Sequence, residues 1–208
     1  HLVFLQAADL CMQAFSVMIQ QYGEAASAMA ASLDEDCREQ KTNLLEAAKI
    51  CRKLATDKPD TFHEALQLVW LAHIAFLYEG RYAMAFGRLD QYLYPYYQAD
   101  REAGRLTRET AIELVACTMY KIGESRLFGH DDVVNIAIAG RQPDGSGGLN
   151  ELSYVVLEAV RQCNIPGPNL SARIYEGIDD AFLDACLQVI GTGLGYPALM
   201  NDEVNIPA

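Results

Sequence analysis

From about residue 80 onward, this 208-residue chain alternates short strand-like runs with helix-like segments. The first run ends near Arg88, and the others cover residues 133–139, 170–175 and 198–206. Strands that alternate with helices usually pair in parallel through right-handed crossovers. The second part of the chain therefore predicts a parallel sheet that is covered by helices.

The first 80 residues contain no strand-like run and predict an all-helical layer. Several polar residues have the character of helix N-caps, and two of them are followed three residues later by a glutamate, which is the spacing of a capping box. In the first 80 residues these expected caps are Ser32 with Glu35 and Thr61 with Glu64. In the second part of the chain they are Asn150 and Asp179.

Four strand candidates are too few for a closed barrel, since eight-stranded α/β barrels usually need about 250 residues. We therefore expect an α/β fold consisting of a partial, or half, barrel with parallel strands. In this prediction residues 1–208 belong to one domain, in which a helical layer (1–80) precedes alternating strands and helices (81–208).

Composition and charge exclude several classes of function. The net charge of −12 disfavours binding to nucleic acids or anionic membranes, because both favour clusters of Lys and Arg. We find no run of about 18 apolar residues and expect no membrane span. The six cysteines include no C-x-x-C pair, so we expect reduced thiols in a cytoplasmic protein.

The segment F-G-R-L-D-Q-Y-L-Y-P, residues 86–95, places Arg88 and Asp90 where a strand turns into a helix. Two interpretations are open for these side chains. They form a buried pair that braces the turn, or they contact a substrate directly.

A second polar group, Asn201, Asp202 and Glu203, interrupts an otherwise apolar strand pattern near the end of the sequence. In parallel barrels the strand ends carry the reacting groups. The three residues therefore form either a buried hydrogen-bond network or one wall of a site.

Other motifs are weaker. His130 with Asp131 and Asp132 could bind a metal, but loops of this composition are commonly just solvated, and we assign no metal site. The glycine-rich run 191–195 follows a helix and precedes a strand, which is the reverse of the dinucleotide-binding fingerprint. We therefore expect a helix C-cap and a tight turn there.

Six segments occur in an order that resembles the pyruvate formate-lyase-like domain of the glycyl radical enzymes. The run D-Q-Y-L-Y-P directly after Gly-Arg is similar to the branch that contains diol dehydratases, decarboxylases and C–N or C–S lyases. The six segments are T-F-H-E-A-L-Q-L-V-W (61–70), F-G-R-L-D-Q-Y-L-Y-P (86–95), G-R-L-T-R-E-T-A-I-E-L (104–114), D-G-S-G-G-L-N-E-L-S-Y (144–154), P-N-L-S-A-R (168–173) and G-Y-P-A-L-M-N-D-E-V (195–204).

The resemblance implies a ten-stranded barrel in which a glycyl radical oxidises a cysteine, and the resulting thiyl radical takes hydrogen from a small-molecule substrate. It implies a partner, an S-adenosylmethionine and iron–sulfur activating enzyme that installs the radical in the full-length parent. No cofactor is expected to bind to this chain itself. A homo-oligomer is also expected.

The chain departs from the family pattern in its chemistry. The thiyl cysteine of the family lies in a Gly-Cys-x-Glu loop downstream of the segment matched by residues 201–203, and none of the six cysteines here takes that position. The radical glycine is also missing. We therefore assign no catalytic residue and expect the chain alone to be inactive.

A His-Ser pair that binds substrate hydroxyls in relatives such as glycerol dehydratase corresponds here to Tyr82 and Ala83. Their loss argues against glycerol or propanediol as substrate. By this resemblance Tyr82 and Ala83, with Val133 across from them, form the wall of the substrate pocket, and Arg88, Asp90, Asn201, Asp202 and Glu203 support it.

The resulting prediction is a segment of a radical enzyme that cleaves a C–O, C–N, C–S or C–C bond. The alternative is a truncated, non-catalytic relative that acts as a binding or assembly module. A third interpretation, an unrelated cofactor enzyme that uses the glycine run 191–195, would require nucleotide binding at that loop.

Overall fold

The computed structural model describes residues 1–81, 84–126 and 134–206. It divides into two compact units, His1–Ala75 and Phe76–Ala208.

The first unit is helical, as its sequence predicts. It contains α1 (Leu2–Ser32), α2 (Arg38–Leu54) and most of α3 (Phe62–Tyr78). Helices α1 and α2 pack closely where α1 carries Gly23, since a Cβ at this position would lie 3.1 Å from the Cβ of Cys51. The core of the unit consists of buried apolar residues from all three helices: Ile19, Ile50, Cys51, Leu54 and Leu71.

One of the two expected capping boxes of this unit is confirmed. Thr61 Oγ1 accepts the backbone N–H of Glu64 at 3.3 Å, and Glu64 Oε2 accepts that of Thr61 at 3.2 Å. The prediction at Ser32 is wrong. Ser32 is the last residue of α1, where its hydroxyl donates to the Met29 carbonyl at 2.8 Å, and α2 begins only at Arg38.

Helix α1 is long, apolar and mostly exposed. Its 31 residues contain an 18-residue window with a mean hydropathy of 1.7, of which 6% is buried. By length and composition α1 could therefore cross a membrane, contrary to the expectation above. A single helix of this kind is weak evidence for a span, because core helices and N-terminal signal sequences meet the same criterion.

The second unit alternates strands and helices. Strand β1 (Gly87–Arg88) leads into three helices, and strands β2, β3 and β4 then alternate with further helices. The remaining elements, in chain order, are α4 (Leu89–Tyr92), α5 (Tyr94–Glu102), α6 (Arg108–Arg126), β2 (Asn135–Ala139), α7 (Glu151–Cys163), β3 (Asn169–Ile174), α8 (Asp180–Val189), a π-helical turn (Ile190–Leu194), β4 (Ala198–Asn201) and α9 (Asp202–Asn205).

The four strands form one sheet in the order β1-β2-β3-β4, and every pairing is parallel, which confirms the predicted arrangement. Gly87 pairs with Ile136, Asn135 with Asn169, and Ser171 with Ala198. The core lies where the inward side chains of β2 and β3 meet α7, whose Asn150 cap forms a capping box with Ser153. The cap at Asp179 is also confirmed, since its carboxylate accepts the N–H of Ala181.

The last predicted strand is too long. Strand β4 ends at Asn201, and residues 202–205 form a short helix whose N-cap is Asn201. Asn201 Oδ1 accepts the backbone N–H of Glu203 at 3.0 Å. The polar residues thus mark a strand-to-helix junction rather than an interruption of a strand. Strand β4 is exposed, with Leu199 at 46% and Met200 at 43%.

The glycine run 191–195 forms a turn, as the sequence predicts. Gly193 (φ +90°) and Gly195 (φ +76°) adopt left-handed conformations after α8, and the next regular element is β4. A dinucleotide-binding loop leads into a helix instead.

Candidate site at the carboxyl edge of the sheet

Charged residues lie at or just after the carboxyl ends of the four described strands. Arg88 ends β1, Arg141 lies two residues after β2, Arg173 is the penultimate residue of β3, and Asp202 and Glu203 directly follow β4. Because the strands are parallel, these ends meet at one edge of the sheet. We call this group of five residues the edge cluster.

Arg88 binds backbone rather than a carboxylate. Its two Nη atoms donate to the carbonyl oxygens of Ala139 (2.8 Å) and Arg141 (3.0 Å). Its Nε is buried and has no hydrogen-bond partner among the described residues. Burial lowers the pKa of Arg88, and the charge of Arg173 lowers it further, while Asp90 and Asp202 act in the opposite direction.

Asp90 is fully buried. Its Oδ2 accepts the backbone N–H of Ala139 at 2.7 Å and the hydroxyl of Ser153, whereas its Oδ1 has no partner among the described residues. Burial raises the pKa of Asp90, and these hydrogen bonds oppose that effect. Arg88 and Asp90 therefore brace the last residue of β2 rather than each other, since one binds its carbonyl and the other its amide.

Asp202 links three strand ends. It is 2% exposed, its Oδ1 accepts Arg173 Nε at 2.8 Å, and its Oδ2 accepts the backbone N–H of Arg141 at 2.7 Å. This close approach requires a glycine at position 140, because a Cβ there would lie 2.9 Å from Asp202 Oδ2.

Glu203 forms the exposed side of the edge cluster. Its Oε1 accepts Arg141 Nη2 at 2.6 Å and Nε at 3.0 Å, and the backbone N–H of Glu176 at 3.1 Å. The hydrogen bond from Arg141 is the main cause that lowers the pKa of Glu203. The Arg141 guanidinium also lies over the ring of Tyr175, 5.0 Å from its centroid, which is a cation–π geometry.

The edge cluster lines a partly open cavity of about 390 Å³, together with Gln142, Pro143, Gly145 and Ile206. Three arginines and two acidic residues line this space. Such a lining suits a small polar or anionic molecule rather than an apolar one.

The structure brings together the predicted residues Arg88, Asp90, Asn201, Asp202 and Glu203 at this edge. The other predicted group, Tyr82, Ala83 and Val133, lies outside the described residues.

Sequence reasoning missed Arg141 and Arg173, although each comes at or just after the end of a recognised strand pattern. His130, Asp131 and Asp132 also lie outside the described residues. Within the part of the chain that the structure describes, no group of three or more His, Cys, Asp or Glu side chains could hold a metal ion.

Comparisons with known proteins agree with this architecture. The sequence profile of the pyruvate formate lyase-like family matches residues 1–208. The chain is 37% identical to the Escherichia coli (strain K12) protein named Probable dehydratase YbiW and 32% identical to trans-4-hydroxy-L-proline dehydratase of Clostridioides difficile. These matches cover 98% and 96% of the chain but 27% of each relative.

The fold matches the B12-independent glycerol dehydratase from Clostridium butyricum, in its glycerol-bound form, with a TM-score of 0.85 at 31% identity. This match covers 94% of the chain and 26% of the dehydratase. The chain thus spans about a quarter of the length of its relatives, among which are also sulfite-lyases and the glycyl radical subunit of a decarboxylase. The chain belongs to the pyruvate formate lyase-like family, and within it to the glycyl radical enzymes of the dehydratase, decarboxylase and lyase branch.

Proposed function

We propose that this chain is a segment of a glycyl radical enzyme that cleaves a C–O, C–N, C–S or C–C bond of a small polar substrate. The observation that carries the proposal is the four-stranded parallel sheet, which together with its helices matches a quarter of a glycerol dehydratase at a TM-score of 0.85. As part of this proposal, both compact units belong to one domain, because one family profile matches all 208 residues.

The chain alone supplies no thiyl cysteine and no radical glycine under this proposal. The cysteine nearest to the expected position, Cys186, is fully buried in α8, and burial raises its pKa to about 12. A buried thiol of this kind behaves as a small apolar side chain. We therefore assign the radical-carrying residues to the remainder of a longer parent protein.

The substrate would contact Tyr82, Ala83 and Val133. In the sequence Tyr82 and Ala83 precede β1 and Val133 precedes β2, and these two strands pair with each other. Arg88, Asp90, Asn201, Asp202 and Glu203 would support the site by fixing where the strands end. Where glycerol dehydratase has its His-Ser pair, the aromatic Tyr82 and the small Ala83 favour a substrate other than glycerol.

The partners of the parent would be its small-molecule substrate and the activating enzyme that installs the glycyl radical, and its location would be the cytoplasm. Self-association of the chain is part of the proposal. Strand β4 pairs only with β3 among the described residues, and its other edge offers free backbone groups to a second strand. Light scattering tests this point, because a monodisperse monomer would count against it.

A chimera tests the proposed function. Residues 1–208 replace the matched segment of the Escherichia coli relative, and the chimera is incubated without oxygen with its activating enzyme and S-adenosylmethionine. We expect the electron paramagnetic resonance signal of a glycyl radical from the chimera and none from the chain alone. A signal from the chain alone, or a folded chimera without one, would contradict the proposal.

A double substitution in the same chimera tests the pocket wall. Tyr82→His with Ala83→Ser restores the polar pair of glycerol dehydratase and should create turnover of glycerol. The matched control, Tyr120→His with Ala116→Ser, makes the same changes on helix α6 and should leave substrate choice unchanged.

A further inference from the structure

Some hydrogen-bond donors around the cavity at the carboxyl edge have no acceptor among the described residues. Both carboxylates that line it already accept hydrogen bonds from the protein. Asp202 accepts Arg173 Nε and the Arg141 amide with its two oxygens, and Glu203 accepts Arg141 and the Glu176 amide with Oε1. Three guanidinium groups line the cavity against these two carboxylates.

The spare donors belong to two of the arginines. Arg88 Nε is buried without a partner among the described residues. Arg173 uses only Nε, so both of its terminal nitrogens are without a hydrogen bond within the described part of the chain. These two terminal nitrogens form the planar fork that binds two oxygens of an oxyanion at once.

Electrostatics also favour an anion at this place. The Arg88 and Arg173 guanidinium groups are close enough that the charge of Arg173 lowers the pKa of Arg88, in addition to the larger effect of burial. Asp90 and Asp202 attract Arg88, but Asp90 does not line the cavity, and the three arginines there exceed the two acidic residues by one positive charge. An anion between the two guanidinium groups would be attracted by both and would reduce the repulsion between them.

We propose that this cavity binds a small oxyanion, a carboxylate, sulfonate or phosphate group, between Arg88 and Arg173. Its volume of about 390 Å³ is in the lower range of small-molecule pockets and is sufficient for such a group. The site goes beyond the proposed function, because it is formed by Arg88 and Arg173 of the edge cluster, whereas the proposed substrate wall consists of Tyr82, Ala83 and Val133.

Titration calorimetry of the chain with inorganic phosphate, sulfate and acetate tests the proposal at constant ionic strength set with sodium chloride. We expect saturable binding of at least one anion. The ranking of the three anions shows which oxyanion class the site prefers. The absence of binding by all three would overturn the proposal.

Arg173→Lys separates recognition from folding. Lysine keeps a positive charge for the buried Asp202 but lacks the fork, so binding should weaken by about tenfold or more. Arg161→Lys is the matched control, because Arg161 pairs with Glu158 on α7 and does not line the cavity. Equal affinity of Arg173→Lys and the unchanged chain would contradict the site.

A spectroscopic readout covers the case in which Arg173→Lys unfolds. In the unchanged chain, phosphate should shift the ¹⁵N–¹H signals of Arg88 Nε and of the Arg173 guanidinium, whereas those of Arg161 should stay in place. Shifts of all arginine signals to a similar extent would show non-specific screening and would overturn the proposal.

Discussion

Asp90 accepts the backbone N–H of Ala139 at 2.7 Å, and Ala139 has the left-handed backbone conformation, φ +57°. Non-glycine residues rarely adopt this region, which costs about 1–2 kcal/mol. Arg88 binds the carbonyl of the same residue. The end of β2 is thus held in an unfavourable conformation by two side chains from the neighbouring strand and helix.

Ala139→Gly should change the free energy of unfolding very little. Relief of the left-handed conformation stabilises the folded state by about 1–2 kcal/mol. The loss of a buried methyl group and the greater entropy of the unfolded chain offset this stabilisation. Ala137→Gly, in the same strand without a positive φ, should lose about 1 kcal/mol. Urea denaturation compares the two variants, and an equal loss in both would show that the conformation of Ala139 is not strained.

Asp90→Asn should destabilise the chain by about 1–3 kcal/mol near pH 4, because the amide places two N–H donors in the core where the protonated carboxyl places one O–H, and Oδ1 has no hydrogen-bond partner among the described residues. Burial raises the pKa of Asp90 in the folded state. The unfolded chain therefore ionises first, and the stability that the protonated form of Asp90 provides falls as the pH rises above the ordinary Asp range.

The loss of unfolding free energy caused by Asp90→Asn should accordingly become smaller as the pH rises from 4 to 7. Asp144→Asn is the control of opposite sign, because hydrogen bonds from Ser146 lower the pKa of Asp144 and its contribution is lost as the pH falls. Urea denaturation from pH 2 to pH 7 measures both, since the contribution of Asp144 is lost only as the pH falls below the ordinary Asp range. A constant cost of Asp90→Asn would refute the raised pKa.

Gly140→Ala should destabilise the chain more than Gly145→Ala. Both glycines have left-handed φ values, +86° and +85°. A Cβ at position 140 would lie 2.8 Å from the Cβ of Arg173, whereas position 145 faces open space. We expect about 1 kcal/mol for Gly145→Ala and about 2–4 kcal/mol for Gly140→Ala, measured by thermal unfolding. Similar values would show that the junction of β2 and β3 tolerates a side chain.

Glu64→Gln tests the start of α3. Burial tends to raise the pKa of Glu64, but hydrogen bonds from Lys53, Asp60 and Thr61 outweigh it and hold the pKa below its ordinary value. Such a carboxylate stabilises the fold above its unfolded pKa, and this contribution is lost as the pH falls. Glutamine should therefore cost about 1 kcal/mol at pH 7 and less at pH 3.

The matched control is Glu46→Gln, since Glu46 is an exposed partner of Lys49 at 3.5 Å and such pairs contribute little. Denaturation curves at pH 7 and pH 3 measure the loss of stability caused by each substitution. An equal and pH-independent effect of the two substitutions would exclude a specific role for the Glu64 carboxylate.

The sequence predicted most of the fold because its signals are local. Asn150 and Asp179 cap the helices that they were expected to cap, and the strands before them pair in parallel as the alternation implied. The N-cap prediction at Ser32 was wrong because the alanine-rich helix α1 continues as far as this residue. Its hydroxyl binds the preceding turn, an alternative that the sequence spacing does not distinguish.

The edge cluster was only partly predictable. Arg88, Asp90 and the run 201–203 stood out as polar residues in apolar surroundings, but their partners are remote in sequence. Arg141 meets Asp202 across 61 positions, and spacing along the chain gives no sign of such a pairing. The rule that parallel strands expose their carboxyl ends together could have identified Arg141 and Arg173.

The hydrogen bonds of Asp202 have a kinetic consequence. Its contacts to Arg141 and Arg173 span 61 and 29 positions, so they can form only after two crossover helices have been placed. Contacts between distant positions carry the loop-closure cost that slows folding. The edge should therefore be the last part of the sheet to become ordered, and a nascent chain released before residue 202 would leave the Arg173 guanidinium and the Arg141 backbone N–H without their acceptor.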